Sequence, residues 1–236
     1  MLQWRMTKSR RDPRAIAEEM AAGGAAEGSV VRGPVTAGVL PFSVVLRPRE
    51  GTPMGLLGVV AAFCASEGIR KDTGIITWLR WPHEVVVAAA SAETAQERRR
   101  WETVAVVSPS TTDPSGPPAL VLNYRINVGR SRRPGSTSLE DLLGVSVDPG
   151  MLVAKVLDSL SWMHSGWEKE MYPQIVARLG SMLEDAGRRV AVVDRGGGEA
   201  VSGVVAGVDR EGRLVVEVGG GRTISVEDRA RLPDPR

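Results

Sequence analysis

Hydrophobic and polar positions change period several times along this chain, and the changes predict its elements. Asp12-Pro13 pairs a capping carboxylate with a proline suited to a first helical turn, so a helix is expected over residues 14–22. Gly23-Gly24 ends it. Short apolar runs at 28–31 and 42–46, separated by a link rich in Gly and Pro, predict strands. Residues 54–66 are apolar all round, which predicts a mostly buried helix closed by Gly68. Strands are then expected at 75–80, 84–87, 101–107 and 120–128, with 108–118 a loop by its Ser, Thr, Pro and Gly content.

Helical spacing returns after residue 138. A short helix is predicted at 138–143, and Asp148-Pro149 opens a longer one over 151–167 with Leu152, Val156, Leu160 and Met163 on one face. A further helix at 174–186 places Ile175, Leu179 and Leu183 together and stops at Gly187. Beyond it the period shortens to that of strands, at 190–193, 201–208, 214–218 and 222–226, punctuated by glycine clusters. The reading is an α+β protein. A mixed sheet with packed helices occupies residues 1–187, and a small C-terminal β-barrel over 188–236 docks on it.

Composition narrows the chemistry. The chain has 236 residues, 42% hydrophobic and 25% charged, with a formal net charge of +2. That charge argues against nucleic acid as the default partner. Lysine occurs only at positions 8, 71, 155 and 169, so a covalent-lysine mechanism has few candidates. Cys64 is the single cysteine, and it sits in the apolar 54–66 run. It is expected to be a buried, inert thiol, and no intrachain disulfide can form. One cysteine and two histidines do not make an ordinary zinc site. No apolar run is long enough to span a bilayer and no signal-peptide pattern opens the sequence, so a cytoplasmic location without membrane contact is expected.

The most informative segment is Trp78-Leu79-Arg80-Trp81-Pro82-His83-Glu84. It reads as two strands joined by a turn that presents a cation, an indole, an imidazole and a carboxylate, with Pro82 removing a ladder donor. This turn resembles the Lys-Trp-Pro-Asn-Asp signature of biotin protein ligases. Asn123-Tyr124-Arg125-Ile126-Asn127-Val128 is similar to the family's Gly-Ile-Gly-Ile-Asn-Val strand. Residues 207–214 resemble the glycine-containing hairpin of the small barrel that many such ligases carry after the catalytic domain. The order of elements agrees as well, from residue 28 onward.

The resemblance implies a class II synthetase-like ligase domain followed by an SH3-like barrel. It implies an ATP-dependent reaction in which biotin is activated as an acyl-adenylate and passed to a lysine of a carrier domain, with ATP, Mg and biotin as ligands of an active member. Residue by residue, Arg80 takes the position of the phosphate-facing lysine, Trp81 shapes the turn, His83 replaces the Asn and Glu84 the Asp. Arg125 and Asn127 fall on the strand that lines the ligand. An unpartnered reading stands beside each: a Trp-Pro turn can be structural, Asn127 can satisfy local backbone groups, and His164 reads as a helix-surface residue. The basic clusters at 98–100 and 130–133 read as solvated faces.

Departures from the family pattern are as telling. Family members fold a Gly-Arg-Gly-Arg-x-Gly-Arg-x-Trp loop over the adenylate, whereas the link from Gly33 to Pro41 holds neither tryptophan nor arginine. Asn123 and Arg125 stand where the family has glycines, and residues 99–103 are only a loose counterpart of its Lys-Ile-Ala-Gly strand. The expectation is a catalytically degenerate relative in which Arg125 enters the former pocket and pairs with Glu84 as a polar plug. Two alternatives stand: an active ligase for biotin, lipoate or another carboxylate, and a nucleic-acid-binding or assembly protein using the barrel and arginine clusters. Adenylate retention separates the first two, and salt-dependent nucleic-acid binding singles out the third. A homodimer is a further possible assembly.

Overall fold

The computed structural model describes residues 2–89, 101–112, 119–130, 133–192 and 201–226. The chain opens with β1 (Arg5–Lys8), α1 (Pro13–Ala22), β2 (Ser29–Arg32) and β3 (Val39–Leu46). Next come α2 (Met54–Thr73), β4 (Trp78–Arg80), β5 (Glu84–Ala88), β6 (Trp101–Thr111) and β7 (Leu120–Asn127). Seven strands form one sheet in the order β1-β2-β3-β7-β6-β5-β4. Only β1 and β2 pair in parallel; the other neighbours are antiparallel. The Asp12 carboxylate caps α1 by accepting from the Arg14 N–H at 3.1 Å, as Asp-Pro predicts.

β1 escaped the sequence reading. Its four residues are all exposed, so neither alternation nor an apolar run marks it. α2 is longer than expected. It runs through Gly68 and ends at Gly74, whose φ of 76° is the left-handed cap conformation. Gly68 instead marks a helix crossing, since a Cβ there would lie 2.5 Å from the Val156 side chain. The partner helix is α4 (Pro149–Glu168), preceded by the short α3 (Leu139–Leu143) and followed by α5 (Tyr172–Gly180). α5 is shorter than predicted. Residues 181–187 leave the helix so that Leu79 N–H can donate to the Met182 carbonyl at 2.8 Å, and Glu184 N–H to the Leu79 carbonyl at 2.9 Å.

Helices α2 and α4 cover one face of the large sheet, here the inner face. Leu40, Phe42, Val44 and Leu46 of β3, Leu120, Leu122, Tyr124 and Ile126 of β7, Val107 of β6, and Val85 and Val87 of β5 share a single core with Leu57, Val60 and Phe63. The rings of Phe42 and Tyr124 stack at 4.5 Å, almost parallel. On the outer face α1 forms a second, smaller core: Ala17 and Ala21 pack on Val31, Val45 and Val121.

The tail forms a four-stranded antiparallel sheet, with β8 (Arg189–Val192), β9 (Val201–Val208), β10 (Leu214–Val218) and β11 (Arg222–Val226) in the order β11-β10-β9-β8. Gly219–Gly221 makes the turn into β11. Among the described residues this is an open meander, so the expected barrel reaches here only as far as a four-stranded sheet. Val205, Val208, Leu214, Val216 and Val218 join the main hydrophobic core, so the tail packs on the rest of the chain. Among the described residues no helix is long and apolar enough to cross a membrane.

Candidate functional site

The turn between β4 and β5 forms as read, and it is anchored from three sides. Trp81 is buried, its peptide bond to Pro82 is cis, and its Nε1–H donates to the Gly212 carbonyl at 2.8 Å. Gly212 has a φ of 81°, and a Cβ there would lie 2.6 Å from the backbone of Gly55 at the start of α2. Only glycine meets both demands. The indole thus fastens the 209–213 hairpin of the tail to the large sheet. His83 packs on the same helix: a Cβ on Gly58 would lie 2.5 Å from its Nε2. Burial pushes the His83 pKa below its ordinary value, which favours the neutral imidazole. Its carbonyl accepts from Val107 N–H at 2.9 Å.

Arg80 and Glu84 face each other across β4 and β5, and alternation puts both on the outer face. The Arg80 guanidinium is held by two carboxylates, with Nε 3.0 Å from Glu184 and Nη1 3.5 Å from Glu84. The Glu184 side chain is only 7% exposed, and Arg188 lies 4.0 Å from its other oxygen. Glu84 also accepts from Thr103 Oγ1 at 3.0 Å. Glu184 was not singled out in the sequence. It lies 104 positions from Arg80 and reaches it only because residues 181–187 run back along β4.

The strand that resembles Gly-Ile-Gly-Ile-Asn-Val places Asn123, Arg125 and Asn127 on the outer face, since Tyr124 and Ile126 point into the core. Asn123 is buried. Its Oδ1 accepts from Ser43 Oγ at 2.8 Å, and its Nδ2 donates to the Ser108 carbonyl at 2.9 Å and to Ser110 Oγ at 3.3 Å. Ser110 Oγ in turn donates to Glu18 of α1 at 2.7 Å. Where glycine would leave space, a closed polar chain runs from β3 through β7 and β6 to the helix. Asn127 Nδ2 donates to the carbonyls of Thr103 at 3.2 Å and Thr137 at 3.1 Å, so it ties β6 to the segment entering α3. Its amide does backbone work at a strand end.

The polar plug does not form. Arg125 is exposed, and Glu84 is engaged by Arg80 and Thr103. The register explains this. Arg125 lies opposite Pro41 on β3 and Val106 on β6, and Val106 separates it from Glu84 on β5. Two strand spacings, about 10 Å, stand between them, whereas Arg80 is the direct cross-strand neighbour of Glu84.

The link from Gly33 to Pro41 is a tight hairpin. Thr36 and Val39 exchange backbone hydrogen bonds at 3.0 Å, with Ala37 at φ 50° and Gly38 at φ 76° between them. Positive φ at both central residues marks the mirror-image turn that fits strand twist. Gly38 packs on Gly129, and its carbonyl accepts from Val128 N–H at 2.8 Å and Gly129 N–H at 2.9 Å.

Other singled-out residues resolve simply. Cys64 is buried, and burial pushes its thiol pKa far up, as for an inert thiol. His164 is not the surface residue expected: its side chain is 13% exposed and Nε2 lies 3.3 Å from Glu27. Arg130 lies 3.5 Å from Glu140, whereas residues 98–100, 131 and 132 fall outside the described residues. No group of three or more His, Cys, Asp or Glu side chains suited to a metal occurs among the described residues.

With this geometry in hand, known proteins place the chain. No family model matches it. The apo biotin protein ligase of Aquifex aeolicus superposes with a TM-score of 0.77 over 97% of this chain and 98% of that one, at 18% identity. The same enzyme in complex with biotin and ATP gives 0.75 over 95% and 96%, at 17% identity. A biotin protein ligase-like protein of unknown function from Silicibacter gives 0.71 over 96% of both chains, at 17% identity. In sequence, the chain is 29% identical over 158 residues to the biotin--[acetyl-CoA-carboxylase] ligase of Mycobacterium tuberculosis, covering 64% of this chain. That match spans 50% of the relative's length. The fold is therefore that of the biotin protein ligases. In fold and in sequence the chain is similar to such ligases.

Proposed function

We propose that this chain is a catalytically degenerate biotin protein ligase-like protein, which keeps the ligase fold and has lost the means to hold an acyl-adenylate. One observation carries the reading: a two-residue hairpin at Ala37-Gly38 stands where the family folds an arginine- and glycine-rich loop over the phosphate. Without that loop, backbone N–H groups, positive charge and water exclusion are lost together. The engagement of Arg80 by Glu84 and Glu184 supports the same conclusion, because a guanidinium neutralised by two carboxylates is a poor phosphate ligand. Asn123, hydrogen-bonded and buried, occupies room a ligand would need. Under this reading Trp81, His83, Glu84 and Asn127 act in packing and in joining segments, and Arg125 is a solvated side chain.

The division into a ligase-type domain, residues 1–187, and a C-terminal domain closing as an SH3-like barrel, residues 188–236, belongs to this reading, as does a cytoplasmic location. The competing reading is an active ATP-dependent ligase using biotin or another carboxylate, Mg and a biotin carrier domain, with a homodimer as its assembly. It is favoured by the match to the Aquifex enzyme that carries biotin and ATP. Calorimetric titration with biotin, ATP and a biotinyl-adenylate analogue decides between the two. The degenerate reading expects no binding of the adenylate analogue and no ATP-dependent transfer of labelled biotin to a carrier domain. Transfer that is abolished by Arg80→Ala would overturn it.

A further inference from the structure

At the end of β2 opposite the Gly33–Pro41 link, the second of the chain's two histidines meets a carboxylate that the ligase-like site does not use. His164, near the end of α4, brings Nε2 to 3.3 Å from Glu27 in the turn between α1 and β2. Their side chains are 13% and 28% exposed. The imidazole packs edge to face on the buried Trp167, with ring centroids 4.9 Å apart, so α4 fixes it from one side. Glu27 is fixed from the end of β3, where the same carboxylate oxygen accepts from Arg47 N–H at 3.1 Å. The Arg47 guanidinium donates in turn to the carbonyls of Ala25 at 2.8 Å and Ala21 at 2.9 Å. An open cleft of about 530 Å³, with Arg5, Glu27, His164, Glu168 and Lys169 in its walls, gives protons access to the pair.

Few charged groups act on this ring. Glu27 is the carboxylate in contact with it. Arg5 of β1 and Lys169 after α4 are exposed, where water and salt screen them, and Glu168 is paired with Arg49. Burial pushes the Glu27 carboxyl up. The hydrogen bonds from His164 and the Arg47 N–H, with the charges of both side chains, outweigh it and hold the carboxyl below its ordinary pKa. A depressed folded pKa means that ionised Glu27 stabilises the fold above its unfolded value of about 4.3, and this is lost only as pH falls through the lower folded value. Histidine changes charge between about pH 5 and 8. Across that range the carboxylate is constant, and the proton on its partner is what varies. A neutral imidazole gives Glu27 an ordinary hydrogen bond, and an imidazolium a charge-assisted one roughly twice as strong.

We propose that His164 and Glu27 form an acid-tightened clamp that fixes the C-terminal end of α4 to the turn before β2. Through Arg47 the clamp also reaches the end of β3. β2 and β3 are the strands that carry the Ala37-Gly38 hairpin, so the clamp stands at the far end of that pair. It is separate from the Arg80 turn and does not depend on whether the ligase-like site is active. The other histidine acts with the opposite sign. Burial holds His83 below its ordinary pKa, so its contribution is present above the unfolded imidazole value of about 6.5 and is lost as pH falls through the lower folded value. Acid thus tightens the end of α4 and loosens the β4–β5 turn.

The test is a double-mutant cycle of His164→Gln and Glu27→Gln in the full chain, read by thermal unfolding at about pH 5.5 and about pH 8. Each variant keeps a polar side chain and removes the charge, and comparison at one pH leaves His83 common to all four proteins. Near pH 5.5 each single variant should lower the unfolding midpoint, and the double variant should lose no more than the larger single loss. Near pH 8 His164→Gln should cost less, and the two effects should approach additivity. Glu168→Gln, in the same cleft but paired with Arg49, should lose the same at both pH values. Equal coupling at the two pH values, or additivity at both, would overturn the proposal. So would a Glu168→Gln variant that repeats the His164→Gln pattern.

Discussion

The two faces of the seven-stranded sheet follow different rules. Towards α2 and α4 every strand from β3 to β4 presents aliphatic or aromatic side chains, which share one core. Towards α1 and the Arg80 turn, the strands present Ser43, Asn123, Ser108 and Ser110, then Thr103, Glu84 and Arg80. The first face is held by burial, which tolerates many sequences of similar volume. The second, outside the small core of Val31, Val45 and Val121 under α1, is held by particular hydrogen bonds, where each group depends on one or two named partners. Every residue that resembles the ligase motif on β4, β5 and β7, apart from the core positions between them, lies on the second face. On this face the buried polar groups satisfy one another.

The sharpest break in that contrast is at the inner face. Phe42→Ala removes a buried ring stacked on Tyr124 and should cost about 3–5 kcal/mol, read as a lower denaturant midpoint in chemical unfolding. At the outer face, Asn123→Leu keeps the approximate volume but strands Ser43 Oγ and the Ser108 carbonyl. It should cost about 1–3 kcal/mol, and Ser43→Ala in the same chain should recover part of that loss. If Asn123→Leu proves neutral, the polar chain is not what holds this face.

Acid should separate the two layers further. Glu67 of α2, 8% exposed at its side chain, is held below the ordinary carboxylate pKa by its hydrogen bond from Arg70, against a smaller opposing effect of burial. A depressed folded pKa means that ionised Glu67 stabilises the fold above its unfolded value of about 4.3, and this contribution fades as pH falls through the lower folded value. In Glu67→Gln the decline of stability below that pH should flatten, as measured by thermal unfolding across acidic pH. An unchanged acid profile would show the ion pair to be without weight. The smallest effect is expected from Arg125→Ala. With an exposed side chain and uncharged cross-strand neighbours, it should shift stability by no more than about 0.5 kcal/mol. A larger loss would mean the guanidinium has a partner after all.

How much of this was legible beforehand varies with range. Asp12-Pro13 and Asp148-Pro149 announced their helices, because a cap and a proline act within one turn. The Trp-Pro turn and the glycine-punctuated tail were equally readable. Gly68 was misread as a helix end, since nothing local distinguishes a terminating glycine from one that admits Val156 of another helix. The Arg125–Glu84 pairing failed for a similar reason: alternation gave the face correctly, but register decided which charges stand side by side.

By itself, then, the sequence determined what short-range chemistry can encode: the helices with their caps, the strand-rich tail, the inertness of Cys64 and the shortness of the link before Pro41. Only the tertiary structure decided that Arg80 is neutralised by Glu184 and that Trp81 fastens the 209–213 hairpin. The physical reason is the same in each case. Charges and hydrogen-bond donors act over a few ångströms of space, and the chain brings those ångströms together from positions as far apart as the 131 residues between Trp81 and Gly212.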